Sequence, residues 1–266
     1  MSDNQWIRLN NGENGLKPGE FAEVVVELLI LRYTRWGEMA VDCGAADGRM
    51  VKVMLRAVGS EGNVVAFEPI LHIFERLEEA FKKWRNVLVL RACVSDRVQD
   101  EIPFFYVKDR RWISSLSPDN LEAYDVEDIR VPVTTLDVAL SDQFRGVRPR
   151  VSFIKLDIEG AEFSALRGAA GILARDQPFI VFENSLERAA RAFGYDIEEF
   201  FQFFGDQRYK LYDVFGTPVS PAVWDRVGRE VCWNFVAVHE SDARLLGFRS
   251  EVHAVLANAR KVMLGG

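Results

Sequence analysis

The chain has 266 residues, 48 % of them hydrophobic and 27 % charged, enough for the core of one large α/β domain or two small ones. Its 33 Lys and Arg against 40 Asp and Glu leave a net charge of −7, which argues against a nucleic-acid backbone or an anionic membrane as partner. The start is polar, without a basic and then apolar leader. Cys43, Cys93 and Cys232 lie far apart, as do His72, His239 and His253, so a disulfide framework or metal site is not expected and a reducing cytoplasm is.

Pro18 suits the first turn of a helix, and 18–36 is read as that helix, ending at Gly37. Short apolar runs then alternate with amphipathic segments, the pattern of a parallel sheet with crossover helices. Strands are expected at 39–43, 63–67, 87–91, 151–156 and 179–182, with helices at 49–58, 71–84 and 161–174. Between 102 and 136 the rhythm breaks; 102–108 and 129–134 read as strands of an inserted hairpin or lid holding Trp112, Ser114, Ser115 and Pro118. A helix at 196–204, strands at 210–215 and 231–238, and a closing helix at 241–263 complete the chain. No repeat or low-complexity linker interrupts it, so the expectation is one α/β domain over 39–266, with 1–38 as a helical extension packed on the core.

Chemistry gathers at the predicted strand ends. Asp42-Cys43-Gly44-Ala45-Ala46-Asp47-Gly48 joins the first strand to a helix, which brings backbone N–H groups and a helix N-terminus around a ligand. Gly44 permits the tight turn. The G-x-G-x-x-G pattern that makes room for a pyrophosphate is missing, because Ala46 holds the second glycine position and Asp42 and Asp47 would repel it. Glu68, about 20 residues on at the next strand end, suits a ribose diol. Ribose and positive charge without diphosphate describe S-adenosylmethionine (SAM) better than NAD; an acidic loop that binds nothing is the remaining alternative.

A second group follows the fourth parallel run, Ile154-Lys155-Leu156-Asp157-Ile158-Glu159-Gly160-Ala161-Glu162, and Glu183 ends the next one. Asp157, Glu159 and Glu183 at neighbouring strand tips would share the crevice with Gly44 and Glu68. Like charges held together cost free energy, which favours a functional reason; the competing reading has Glu159 and Glu162 serving the first turn of the next helix.

These segments resemble the FkbM family of SAM-dependent methyltransferases. Asp42 to Gly48 is similar to the family's D-x-G-A-N-x-G, with Ala46 in place of Asn and with Arg49 and Met50 at aromatic positions. Ala66-Phe67-Glu68-Pro69, Cys93-Val94-Ser95-Asp96, Thr134 to Asp137, Ile154 to Glu162, Leu166 to Ala169 and Pro178 to Glu183 match further family segments in order. The likeness runs from about Met39 to Glu183.

The resemblance implies a Rossmann-like class I methyltransferase fold, a mostly parallel seven-stranded sheet flanked by helices with a reversed last strand. It places the methionine part of SAM against Asp42, Cys43, Gly44, Ala45, Asp47 and Gly48, the ribose at Glu68 and Pro69, and adenine along Val94 and Ser95. Lys155, Asp157 and Glu159 would stand where the methyl group leaves, with Asp157 also on the cofactor side. Methyl transfer to a hydroxyl needs alignment and a proton acceptor. Asp157 or Glu159 is the expected base or orienting group, Lys155 the stabiliser of alkoxide charge and Glu183 a third member. Mg²⁺ held by the acids against a diol is an alternative the sequence does not imply.

The expected reaction is O-methylation of a sugar or natural-product hydroxyl, with S-adenosylhomocysteine (SAH) as product. Methylation of a peptide side-chain amide is the runner-up. An NAD-dependent oxidoreductase and a non-catalytic SAM binder are the alternatives of other classes. Lys108, Arg110 and Arg111 could grip an anionic acceptor or simply be solvated, and Trp112, Ser114 and Ser115 could line its pocket. A small molecule or peptide is the expected partner. Oligomeric state is open, a homodimer among the possibilities.

Overall fold

The structure, a computed structural model, describes residues 18–108, 114–118, 121, 124–144, 148–223, 233–242, 250 and 253–254. Helix α1 (Pro18–Tyr33) precedes β1 (Met39–Cys43), α2 (Arg49–Val58), β2 (Asn63–Phe67), α3 (Leu71–Phe81) and β3 (Val87–Leu90). Then come β4 (Cys93–Val94), β5 (Gln99–Val107), β6 (Val126–Thr134), α4 (Leu136–Gln143), β7 (Val151–Leu156), α5 (Glu162–Arg167) and α6 (Ala170–Asp176). The described elements end with β8 (Phe179–Glu183), α7 (Glu187–Phe193), α8 (Ile197–Asp206), β9 (Tyr209–Asp213), a short 3₁₀ turn and β10 (Asn234–His239).

Seven strands form one sheet in the order β3-β2-β1-β7-β8-β10-β9. Neighbours from β3 to β8 pair in parallel, and β10 runs antiparallel to both β8 and β9. That is the reversed-strand sheet implied by the family likeness. The order also reverses direction about β1, so the carboxyl ends of β1, β2 and β7 open on one crevice, where ligands of such sheets sit.

The buried strands are near-continuous apolar runs because both faces are covered. Alternation sends Ala40, Phe153 and Phe179 toward α1, α2 and α3, where Val25, Leu29 and Tyr33 meet them. Met39, Val41, Ile154 and Leu156 face the opposite layer, with Phe163, Phe200 and Phe204. Asp42 pairs in register with Lys155, and alternation puts both on the α1 side of the sheet. The expected aromatic face at 196–204 is core at Phe200 and Phe204, whereas Phe201 is half-buried with its ring edge-on to Phe200.

The expected helix at 161–174 is two helices. Gly168 explains the break: a Cβ there would lie 2.1 Å from the Ser95 carbonyl oxygen. Asp137 then caps the second piece, accepting from the N–H groups of Gly171 at 2.8 Å and Ile172 at 2.9 Å. The inserted strands are longer than expected and pair antiparallel, with β4 beside β6, in a separate three-stranded sheet. Strand β9 stops at Asp213 because its carboxylate turns the chain, accepting from Phe215 and Thr217 N–H groups. Trp112, Arg110, Arg111 and Cys232 lie outside the described residues, as does most of the expected closing helix. Among the described residues no helix is long and apolar enough to cross a membrane.

Candidate functional site

The site begins at the β1–α2 turn. Gly44 has φ +85°, and a Cβ there would lie 2.0 Å from the Asp157 carbonyl oxygen, so only glycine lets β1 and β7 end this close together. The Asp157 N–H donates to the Cys43 carbonyl at 3.0 Å, locking the two tips. Ala46 adopts φ +46°, a left-handed conformation that asparagine tolerates better than alanine, which explains the residue type the resembled family places there. Its N–H donates to Glu68 Oε2 at 3.2 Å, while Glu68 Oε1 accepts from Ile70 N–H at 2.9 Å. Glu68 is thereby fixed at the end of β2, only 4 % exposed.

These tips wall a solvent-open cleft with roughly 800 Å³ of empty space. Of the residues expected to hold a cofactor, Gly44, Glu68, Pro69, Val94 and Asp157 line it. Ala46, Cys93, Ile70, Ile73, Phe104 and Leu116 line it as well, and the last two come from the inserted hairpin and its turn. The other expected residues stand behind the wall. Asp42, Cys43, Ala45 and Ser95 are buried, and the Ser95 N–H donates to the Thr134 carbonyl. Exposed Asp47 accepts from the Arg49 N–H, and Gly48 starts α2 tight against Leu77 and Phe81.

A chain of charges lies beneath the cleft. Lys155, 5 % exposed, donates from Nζ to Asp157 Oδ2 at 3.0 Å. Burial opposes its charge, but Asp157 and Asp42 outweigh that and raise its pKa. Burial would raise Asp157; Lys155, by charge and hydrogen bond, and a hydrogen bond with Glu183 prevail and lower it. Glu183 is pushed up to about 9 by burial and then by the charges of Asp157, Glu159 and Glu162. It is therefore protonated at neutral pH. Lys155 and Glu183 line neither cavity of the site; both act on Asp157 from behind.

Glu159 stands apart from them. It has φ +57°, held by a turn that Glu162 clamps: Glu162 Oε1 accepts from Ile158 N–H at 2.9 Å and Gly160 N–H at 3.1 Å. Glu162, expected to serve the first turn of the next helix, spends these contacts on the turn that leads into α5. Glu159 lines the cleft and also a second cavity, with about 540 Å³ of empty space, between the hairpin turn and α7. Burial, then the charges of Asp157 and Glu162, push its carboxyl up to about 8, with Arg188 opposing. Ser115 Oγ donates to the Glu159 carbonyl at 2.9 Å and also lines the second cavity, while Ser114 lines the first. Lys108 pairs with Glu127 at 3.2 Å on the surface.

Two contributions of α1 were not visible in the sequence. Arg49 Nε donates to Glu27 Oε1 at 2.5 Å and its guanidinium to Glu23 Oε2 at 3.3 Å, tying α1 to the helix that follows the Gly44 turn. Burial raises the Glu23 carboxyl, and the charges of Lys155 and Asp157 reach it. The signal was present as Arg49 at an aromatic position, but its partners lie in a helix remote in sequence.

The residues present suit a cationic adenosine ligand such as SAM. Behind the cleft wall, neither oxygen of the fully buried Asp42 carboxyl has a hydrogen-bond partner among the described residues, an arrangement that an ordered water would satisfy. Each oxygen of the Glu68 carboxylate has more than one lone-pair direction, so accepting from the Ala46 and Ile70 N–H groups does not by itself exhaust it. Ile70, Ile73 and Val94 offer apolar surface for a flat ring. Among the described residues no group of three or more His, Cys, Asp or Glu is arranged to hold a metal ion.

Residues 42–211 match the family described as the methyltransferase FkbM domain. Solved structures with a similar fold include a methyltransferase FkbM from Methylobacillus flagellatus KT, 16 % identical with a TM-score of 0.48 over 83 % of this chain and 50 % of that one. This chain thus spans about half the length of that relative. An O-methyltransferase from Bacillus cereus in complex with SAH is 11 % identical, with a TM-score of 0.45 over 89 % of this chain and 88 % of that one. A SAM-dependent O-methyltransferase from Thermotoga maritima is 15 % identical, with a TM-score of 0.42 over 84 % and 66 %. No curated protein matches the chain significantly.

Proposed function

The chain belongs to the methyltransferase FkbM domain family, whose match covers more than half of it, and from that premise we propose that it transfers a methyl group from SAM to a hydroxyl oxygen of a small polar acceptor such as a sugar or another natural product. The observation that carries this reading is the position of Glu159 in the walls of two cavities at once. One is the cleft with the ribose-type carboxylate Glu68; the other is open to a second molecule.

SAM, when bound, supplies an electrophilic methyl carbon whose bond to sulfur breaks as the bond to the acceptor oxygen forms. The chain's own residues do the rest. Glu68 holds the ribose hydroxyls, and the glycine at 44 keeps the turn free of a side chain that would push the β1 and β7 tips apart. Ionised Glu159 takes the proton of the acceptor hydroxyl, and a carboxyl with its pKa near working pH is well matched to that task. Asp157, kept ionised by Lys155, supplies fixed negative charge beside a cationic ligand. Glu183, protonated, donates to Asp157 and orients it. The free thiols Cys43 and Cys93, both buried, support placing the protein in a reducing compartment such as the cytoplasm.

The test is transfer of isotopically labelled methyl from SAM to a panel of hydroxylated acceptors. Glu159→Gln is expected to lose transfer while still binding SAH. Transfer at the wild-type rate by Glu159→Gln would remove the base from the mechanism, and label recovered only on amide nitrogen would replace the oxygen acceptor.

A further inference from the structure

The second cavity has a composition of its own. Ser115, Ser117, Tyr124 and Ser185 line it together with Ala189 and Phe193, and Glu159 lines both it and the cleft. Among the described residues lining either cavity, Arg188 is the only cation. It lies in α7, and its guanidinium carbon is 6.0 Å from the ring centroid of Trp233, which is 46 % exposed.

Among the described residues no carboxylate is within ion-pair distance of Arg188. The neighbouring arginines differ: Arg191 pairs with Glu187 and Arg167 with Glu199. The acid that Arg188 does face, Glu159, is mostly protonated at neutral pH, so it compensates little of the guanidinium charge. A guanidinium presents a planar fork of donors that matches phosphate or carboxylate, and an aromatic face beside it leaves those donors unspent.

We propose that the cavity between the hairpin turn and α7 receives the methyl acceptor, and that Arg188 on its rim binds an anionic group, phosphate or carboxylate, carried by that acceptor. The inference rests on the methyl-transfer reading and narrows its substrate class to hydroxylated anions, such as a sugar bearing a phosphate or a uronic acid. Arg188 fixes the far end of the acceptor while its hydroxyl points to Glu159. Lys108, for which anion binding and simple solvation were the two readings, is paired with Glu127 on the surface.

The experiment is phenylglyoxal labelling of the intact protein loaded with SAH, read arginine by arginine by peptide mass spectrometry. The competitors are inorganic phosphate, acetate and glucose at matched ionic strength. Arg191, three residues away and exposed, is the internal control. Protection follows 1 + [L]/Kd, so labelling of Arg188 is expected to slow about threefold at twice the apparent Kd of phosphate or acetate. Glucose should not slow it, nor should Arg191 change. Protection by phosphate but not acetate would assign a phosphorylated acceptor, and the reverse a carboxylate. Equal effects at Arg188 and Arg191, or none at Arg188 with either anion, would overturn the proposal. SAH calorimetry on Arg188→Gln separates the two readings: unchanged SAH affinity without anion protection removes the acceptor pocket alone, whereas no SAH binding by the wild type removes the methyl-transfer reading itself.

Discussion

Glu159 should titrate far above an ordinary glutamate, and its ionisation should set the pH dependence of turnover. Its carboxyl is raised from 4.5 to about 8, first by burial and next by the charges of Asp157 and Glu162, with Arg188 and Lys155 pulling the other way. At that value about a tenth of the protein carries ionised Glu159 at pH 7 and about nine tenths at pH 9, so a step that needs the carboxylate should speed up about tenfold between them. The site can be read without an acceptor, by carbon-detected NMR of labelled glutamate carboxyls, with Glu159→Gln identifying the resonance. Asp157→Asn removes the largest neighbouring negative charge and should move the inflection down. Glu183→Gln replaces a group already neutral at pH 7 and should move it little. An inflection below pH 6 in the wild type, or one unmoved by Asp157→Asn, would refute the reasoning that burial and Asp157 hold this carboxyl neutral.

Three further outcomes are expected. Asp42, Glu162, Glu159 and Glu183 are raised to about 6, 7, 8 and 9 in the folded state, so across that range the native chain holds more protons than the unfolded one and stability falls as pH rises from about 4 to about 9. Melting temperatures of the ligand-free protein should decline over that window, and a rise would contradict the assignment of these groups as buried. Gly44→Ala places a Cβ 2.0 Å from the Asp157 carbonyl oxygen at φ +85°. The left-handed conformation alone costs roughly 1–2 kcal/mol, and the β1 and β7 tips must also separate, so SAH binding should drop with stability; retained affinity would mean the tips are not in fixed contact. Arg49→Ala releases Glu23 and Glu27, partly exposed partners. It should cost only about 0.2–1 kcal/mol in denaturant melts yet increase proteolysis within α1, and unchanged cleavage would remove Arg49 as its anchor.

The sheet was legible because its strands are buried on both faces. Runs such as Met39 to Cys43 and Val151 to Leu156 are almost wholly apolar, and their limits in the structure are those expected. Asp42 and Lys155 are the charged exceptions that alternation places side by side, and both belong to the site. Helix α4 was missed although Thr135 carries an N-cap signal, accepting from Val138 N–H at 3.1 Å; the inserted strand before it obscured the boundary. The break at Gly168 was not legible, since its cause is a carbonyl and a carboxylate brought from 95 and 137 by the fold. The acids at the strand tips were legible as a group, but their division of labour was not. Lys155 behind Asp157, and Glu159 between two cavities, follow from a left-handed turn that Glu162 holds from two residues beyond Gly160. The second cavity itself depends on α7 meeting the hairpin turn, a contact between segments about 70 residues apart that no local pattern announces.

The most direct test of the account is calorimetric titration of the protein with SAH, and separately with NAD, alongside Glu68→Ala. The account predicts micromolar SAH binding that is lost when the Glu68 carboxylate is removed, and no binding of NAD. SAH affinity that survives Glu68→Ala unchanged, or tight binding of NAD in its place, would contradict it.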